Sequence, residues 1–260
     1  MFRIPDQTEL PEFAPAPEVL DSNHVVGFNN RHVASRPFSL LRSQLVKRMR
    51  AGGYKIVGVT SPAPGAGKSF LSANIAASMS RLSNVKTLVF DLDVRRASLA
   101  ANFGLSGEIG LERFLAGETD DLTKVGRHVP GGNLSLYPCF PNDLDTVDLL
   151  SSERFELFVK TLKTLPDDVL VIFDMPPVFA NDDTIVMASL IDAYLMVIEQ
   201  GRTSGKQVSD SMRLLDPSVC IGSVLNRYEG GLGDAYGYGF GYGYGYDKYS
   251  DYYKSEDAKP

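Results

Sequence analysis

Cysteine is scarce in this 260-residue chain: Cys139 and Cys220 are the only two. Set among Pro, Phe, Val and Ile, they read as buried free thiols of a reducing compartment. Long hydrophobic runs are missing as well, for none approaches the roughly eighteen residues needed to cross a bilayer. The start, Met1-Phe2-Arg3-Ile4-Pro5-Asp6, lacks the continuous apolar stretch of a signal peptide. These absences predict a cytoplasmic protein whose membrane link, if it has one, is borrowed from a separate polypeptide. Positive charge is also in deficit. Twenty-six Lys and Arg face thirty-two Asp and Glu, for a net charge of -6. That excludes nucleic acid as the expected partner, because sequence-independent affinity for phosphates comes from Lys and Arg. The length itself is no handicap. A single domain of this size would bury roughly 70–75% of the surface its unfolded chain exposes.

Three compositional parts follow. Residues 1–30 carry Pro5, Pro11, Pro15 and Pro17 with little apolar periodicity, and are expected to form a flexible leader. Residues 31–228 alternate short apolar runs with helical patterns, which predicts an α/β domain with a mostly parallel sheet and helices on both faces. Residues 229–260 are Gly, Tyr and polar residues with no means of building a core. Strands are predicted over 55–61, 87–93, 133–137, 169–174, 193–198 and 219–225. Most are continuous apolar runs, as expected for strands covered on both faces. Helices are predicted over 68–81 and about 152–165, and an amphipathic one runs to Arg50 through Phe38, Leu41, Leu45 and Met49. Its basic residues Arg42, Lys47, Arg48 and Arg50 read first as a solvated face, with docking on a partner or anionic lipid as the alternative.

The most specific signal is Ser61-Pro62-Ala63-Pro64-Gly65-Ala66-Gly67-Lys68-Ser69, which follows one predicted strand and opens one predicted helix. Gly65 and Gly67 let the backbone approach a phosphate chain and point N–H groups at it. The helix that begins near Lys68 adds the positive end of its dipole. Lys68 can reach terminal phosphates, and the Ser69 hydroxyl can sit on Mg²⁺. One departure is plain. The first glycine of G-x-x-x-x-G-K-[ST] is replaced by Pro62, so the chain must approach the loop differently.

Two apolar strands end in carboxylates: Asp91 and Asp93, followed by Arg95, and Asp174, followed by Met175-Pro176-Pro177. Ligands of open α/β sheets collect at the carboxyl ends of strands, so all three acids are expected to face the phosphate loop. Mg²⁺ takes oxygen ligands, commonly one or two carboxylates with phosphates and water. Taken singly, each aspartate could instead cap a helix or start a turn.

Together these motifs resemble the bacterial tyrosine kinases of capsule and exopolysaccharide synthesis, P-loop autokinases of the cytoplasmic type. The resemblance covers about residues 31–228 and the tail, and includes Gly104-Leu105, Gly110-Leu111, Leu115-Ala116-Gly117-Glu118 and Val224-Leu225-Asn226-Arg227. It implies an enzyme that transfers phosphate from MgATP to tyrosine. The implied ATP site is Pro64, Gly65, Ala66, Gly67, Lys68, Ser69 and Phe70, with Asn226 and Arg227. The implied catalytic residues are Lys68, Asp91 and Asp93, with Asp91 as the acceptor of the phenolic proton. Ser69, Asp93 and Asp174 are the implied metal set, and sequence alone leaves the roles of the three aspartates interchangeable. Also implied are a separate membrane-anchored activator that recruits the chain to the inner membrane face, self-assembly and a cognate tyrosine phosphatase. The family's Glu-x-x-Arg-x-x-Arg ring motif is represented here only by Arg42, with Arg36 and Ser39 at the other charged positions, so the expected oligomer is not fixed. The rival reading is a partitioning-type switch ATPase. Such proteins carry an extra lysine early in the loop, and Ser61 to Gly65 contain none.

Eight of the twelve tyrosines, Tyr236, Tyr238, Tyr242, Tyr244, Tyr246, Tyr249, Tyr252 and Tyr253, crowd the C-terminal part. Alternation with glycine disfavours a helix and leaves one face of a strand bare, so residues 229–260 are expected to be a disordered tail. Beside a kinase-like core these residues are the expected phosphoacceptors; without it, a low-complexity assembly segment would be the better reading. Each phosphate adds about -1.5 to -2 charge, so progressive modification is expected to weaken re-docking near the acids and self-association.

Overall fold

The computed structural model describes residues 2–141, 144 and 146–229. Two units divide the chain, Met1–Asn226 and Arg227–Pro260. Only residues 227–229 of the second are described, so the eight tail tyrosines lie outside the described residues.

The first unit runs α1 (Pro17–Ser22), α2 (Arg36–Gly52), β1 (Ile56–Thr60), α3 (Lys68–Met79), β2 (Lys86–Asp91), α4 (Ser98–Phe103), α5 (Leu111–Leu115) and α6 (Leu122–Val125). It continues with β3 (Arg127–Val129), β4 (Leu134–Tyr137), α7 (Thr146–Leu150), α8 (Glu153–Lys163) and β5 (Val169–Asp174). The last elements are α9 (Asp183–Leu190), β6 (Ala193–Glu199), α10 (Gly205–Leu214) and β7 (Val219–Asn226). Seven strands form one sheet in the order β3-β4-β2-β5-β1-β6-β7. Every pairing is parallel except β3 with β4. The expected α/β architecture is therefore present, with the antiparallel β3 added at one edge.

Strand chemistry explains the order. β1 and β5 are buried along their whole length, and their unbroken apolar runs suit the middle of a sheet. β7 alternates exposed and covered positions instead, and forms the outer edge. The period of two sends Ile56, Phe90 and Phe173 into one apolar cluster and Val57, Val89 and Ile172 into the other. Phe90 anchors the first cluster. It stacks on Tyr137 at 4.4 Å between centroids and meets Phe158 and Phe173 edge-on. Each such fully buried ring contributes about 1.5–3 kcal/mol over an exposed one.

Residues 2–30 correct one expectation, because they are packed against the domain rather than forming a leader. Leu10 and Val25 are buried, one in each apolar cluster. His128 donates its backbone N–H to Pro11 O at 3.0 Å and accepts from Phe13 N at 2.8 Å, so this segment covers the β3 edge. Asn74 of α3 is fully buried; its Oδ1 accepts from Val26 N and Gly27 N, and its Nδ2 donates to His24 O. Gly27 lies so close to α3 that a Cβ would stand 2.4 Å from Asn74 O. The prolines were the misleading signal. Pro17 opens α1, a first-turn position where the missing N–H costs nothing.

Candidate active site

β1, β5 and β2 lie side by side and end at one rim of the sheet, which brings together groups far apart in sequence. From β1 the chain passes through Ser61 to Gly67 into α3. Gly65 and Gly67 have φ of 85° and 89°, a left-handed backbone that glycine adopts without strain. Gly67 meets a second demand. A Cβ there would stand 2.2 Å from Asn226 Nδ2, and that amide donates to Ala66 O at 2.8 Å. Asn226, at the end of β7, thus braces the loop in this structure. Pro64 and Gly65 are exposed at the crest, while Ala66, Lys68 and Ser69 are buried. Phe70 is half-buried and packs edge-on against Phe38 at 5.8 Å. Pro62 contributes through its carbonyl, which accepts from Phe179 N at 3.1 Å. Thr60 and Thr184 both donate to Pro176 O, tying the Pro176-Pro177 turn to the end of β1. Arg227 begins the second unit, with φ of 55°.

The three aspartates hold distinct environments. Asp93 is ion-paired with Lys68, both being buried. Asp91 is fully buried, and its two oxygens accept from Asp93 N at 3.2 Å and Leu99 N at 3.0 Å. Burial first, and then the neighbouring Asp174 charge, push its proton affinity well above the usual carboxylate range. Asp174 stands opposite Asp91 in the β2–β5 register. Its Oδ1 accepts from Ser72 Oγ at 3.1 Å, while Oδ2 is buried with no hydrogen-bond partner among the described residues. Burial raises its pKa to about 6, against the opposing pull of Lys68 and Ser69.

An orphaned buried carboxylate oxygen beside Ser69 is the feature a hard cation would satisfy. Ser69, Asp93 and Asp174 therefore fit Mg²⁺ by donor chemistry. In this structure Asp93 is held by Lys68, and the Ser69 hydroxyl accepts from Ser98 Oγ at 2.8 Å.

Several supporting residues escaped sequence reasoning. Ser72 sits one turn beyond Ser69 on the same helix, a spacing that could have flagged it. Ser98 and the Leu99 amide come from α4, too short a helix to stand out by periodicity. Cys139 donates its thiol to Asp91 O at 3.1 Å, and burial raises the thiol pKa well above normal. Glu112, also buried, accepts from Gly110 N at 3.0 Å and Phe140 N at 3.1 Å, locking two loops together. Neither of these last two carries a motif.

Comparison with known proteins gives the family and the fold. Residues 57–235 match the family described as the CobQ/CobB/MinD/ParA nucleotide binding domain. The chain is 33% identical over 188 residues to tyrosine-protein kinase etk of Escherichia coli K12, which covers 72% of this chain but only 25% of that longer protein. It is 29% identical over 183 residues to tyrosine-protein kinase CpsD of Streptococcus agalactiae, covering 66% of this chain and 75% of that one. Among solved structures, the kinase domain of Escherichia coli tyrosine kinase ETK superposes with a TM-score of 0.71 at 26% identity, covering 93% of this chain and 100% of that domain. The likeness to bacterial tyrosine kinases drawn from the motifs is borne out.

Proposed function

The chain belongs to the CobQ/CobB/MinD/ParA nucleotide-binding family, and from that premise we propose that it is an ATP-dependent protein-tyrosine kinase acting on its own C-terminal tyrosines. The observation that carries the reading is the meeting of Lys68 and Ser69 with Asp91, Asp93 and Asp174 at one sheet rim. The loop amides of Gly65 to Lys68 bind the phosphates, with Pro64, Phe70, Asn226 and Arg227 completing the nucleotide site. Lys68 exchanges Asp93 for phosphate oxygens, which releases that carboxylate. Ser69, Asp93 and Asp174 would hold Mg²⁺, which would supply neutralisation of charge on the triphosphate. The tyrosine oxygen attacks the γ-phosphorus, and the bond to the β–γ bridging oxygen breaks. ADP leaves with that electron pair, and the phenolic proton passes to Asp91. Both Asp91 oxygens accept backbone amides at rest, so one of those bonds opens for the carboxylate to receive the proton. Positioning and charge neutralisation supply most of the catalysis in such loose transition states.

The proposed acceptors are Tyr236, Tyr238, Tyr242, Tyr244, Tyr246, Tyr249, Tyr252 and Tyr253. The proposed setting is regulation of polysaccharide synthesis and export, with a membrane-anchored activator, a copy of the chain itself and an opposing phosphatase as partners. The test is to incubate the full chain with MgATP and the activator's cytoplasmic segment, then weigh it and map its peptides. Steps of one phosphate on the tail, absent from a Lys68→Met control, are expected. Phosphate released to solution with an unmodified tail would overturn the kinase reading in favour of a switch ATPase.

A further inference from the structure

Charge is distributed unevenly along this acidic chain. Between Ser22 and Phe90 there is no Asp or Glu, while Arg31, Arg36, Arg42, Lys47, Arg48, Arg50, Lys55, Lys68, Arg81 and Lys86 all fall there. The fold keeps that segregation in space. α2 packs against α3 and β7, and none of the three elements contains an acid. Leu40, Ser43, Lys47 and Arg50 follow one another at helical spacing along the exposed side of α2, while the neighbouring Arg48 donates to Ile221 O of β7. Among the described residues, no carboxylate lies within ion-pair distance of Lys47, Arg48 or Arg50. Apolar groups are exposed there too. Leu40, on this face, is 44% exposed, and Val33, at the start of the 3-10 turn Val33–Ser35 that precedes the helix, is 53% exposed.

We propose that this acid-free α2 face docks directly on an anionic lipid surface, a contact of the chain's own beyond any supplied by a partner. Cations with exposed aliphatic side chains on one helix are the chemistry of an interfacial helix. Lys and Arg stems reach the headgroups while Leu40 and Val33 meet the acyl boundary. A nucleic-acid backbone would use the cations but gain nothing from the two aliphatic groups. Stable anchoring takes two signals, so this contact by itself is weak, reversible and salt-sensitive.

The experiment sediments the full chain with vesicles of equal parts phosphatidylcholine and phosphatidylglycerol, and with phosphatidylcholine alone. Binding is expected on the anionic vesicles, falling at least ~5-fold on neutral vesicles or when salt is raised several-fold. Lys47→Gln/Arg50→Gln should lower binding at least ~5-fold, and adding Leu40→Ser should lower it further. A control, Lys160→Gln/Lys206→Gln, removes the same charge from other surfaces and should bind as the unchanged chain does. Equal binding to neutral vesicles, equal loss in the control, or no vesicle binding would each overturn the proposal. So would a changed oligomer size in the α2 variant with vesicle binding intact, which would assign the face to a second copy. Failure here leaves the kinase reading standing, because tail phosphorylation is read separately by mass.

Discussion

The strand-end site and the α2 face hold charge in opposite ways. At the rim of β1, β5 and β2, Lys68, Asp91, Asp93 and Asp174 are buried and held by one another or by neighbouring polar groups, with one carboxylate oxygen left over. On α2 the cations Lys47 and Arg50 are exposed, Arg48 is tied to the Ile221 carbonyl, and among the described residues no acid pairs with any of the three. Buried charge costs desolvation free energy, so it persists where ion pairs, hydrogen bonds, a ligand or a reaction offset that cost. Solvated charge costs little and carries information only through its pattern. The first region is thus expected to be sensitive to single atoms, and the second to respond only when several side chains change.

The largest contrast should come from Lys68. Lys68→Met is expected to reduce tail phosphorylation at least ~100-fold, as for loss of a donor to developing charge. It also leaves Asp93 buried without its partner, at a cost of about 3–5 kcal/mol in chemical denaturation. Lys68→Met/Asp93→Asn should recover much of that stability and none of the activity, separating chemistry from folding.

Asp174 sharpens the point through pH. Its carboxyl has a higher pKa folded, about 6, than the unfolded reference of about 3.9. The native state therefore binds more protons in this window, and the contribution to stability is full below about pH 4 and lost as pH rises through about 6. Asp174→Asn should be more stable than the parent above that window, with the difference in Tm closing on acidification. Its Mg²⁺ affinity, measured by calorimetry with nucleotide, should fall at least ~10-fold. A Tm difference that grows on acidification would contradict the burial argument.

Smaller effects follow around the site. Gly67→Ala forces a Cβ into a left-handed backbone and against Asn226, at about 1–3 kcal/mol; Asn226→Ala in the same chain should relieve the contact and leave the backbone strain. Asn74→Ala should cost about 1–3 kcal/mol by stranding the Val26 and Gly27 amides, showing in denaturant midpoints that residues 24–27 belong to the domain. At the far end, Lys47→Gln/Arg50→Gln should change stability by less than about 0.5 kcal/mol and leave tail phosphorylation in solution unchanged. If that pair altered catalysis as Lys68→Met does, the contrast between the two regions would fail.

Legibility differed by element for physical reasons. β1, β2, β4, β5, β6 and β7 were visible because strands in a sheet covered by helices are short apolar runs bounded by polar turns. β3 was not, since Arg127-His128-Val129 is short and polar and becomes a strand only by pairing with β4. α3 was legible from the loop that opens it and α8 from its apolar stripe, whereas α5 and α7 have five residues each, too few to show a period. Prolines 11, 15 and 17 suggested a leader where contacts with Asn74 and His128 make a fixed strap. At the site, Lys68 and Ser69 could be picked out from the loop spacing, and Asp91, Asp93 and Asp174 from their places at the ends of apolar strands. Ser72, Ser98 and the contact of Cys139 with Asp91 could not, because these partners are distant in sequence, and Glu112 could not because its bond to Phe140 crosses to another loop.

By itself, the sequence determined the phosphate loop, the acids at strand ends and the segregation of cations into an acid-free stretch, since each depends on residue type and local spacing. Tertiary structure alone decided that β5 lies between β1 and β2, that Asp174 therefore faces Asp91, and that Asn226 braces the loop from another strand. Strand order arises from which apolar faces bury one another across the whole chain. The proton affinity of Asp174, set by burial and by the charges of Lys68 on α3 and Asp93 just past β2, could be known only once that order was formed.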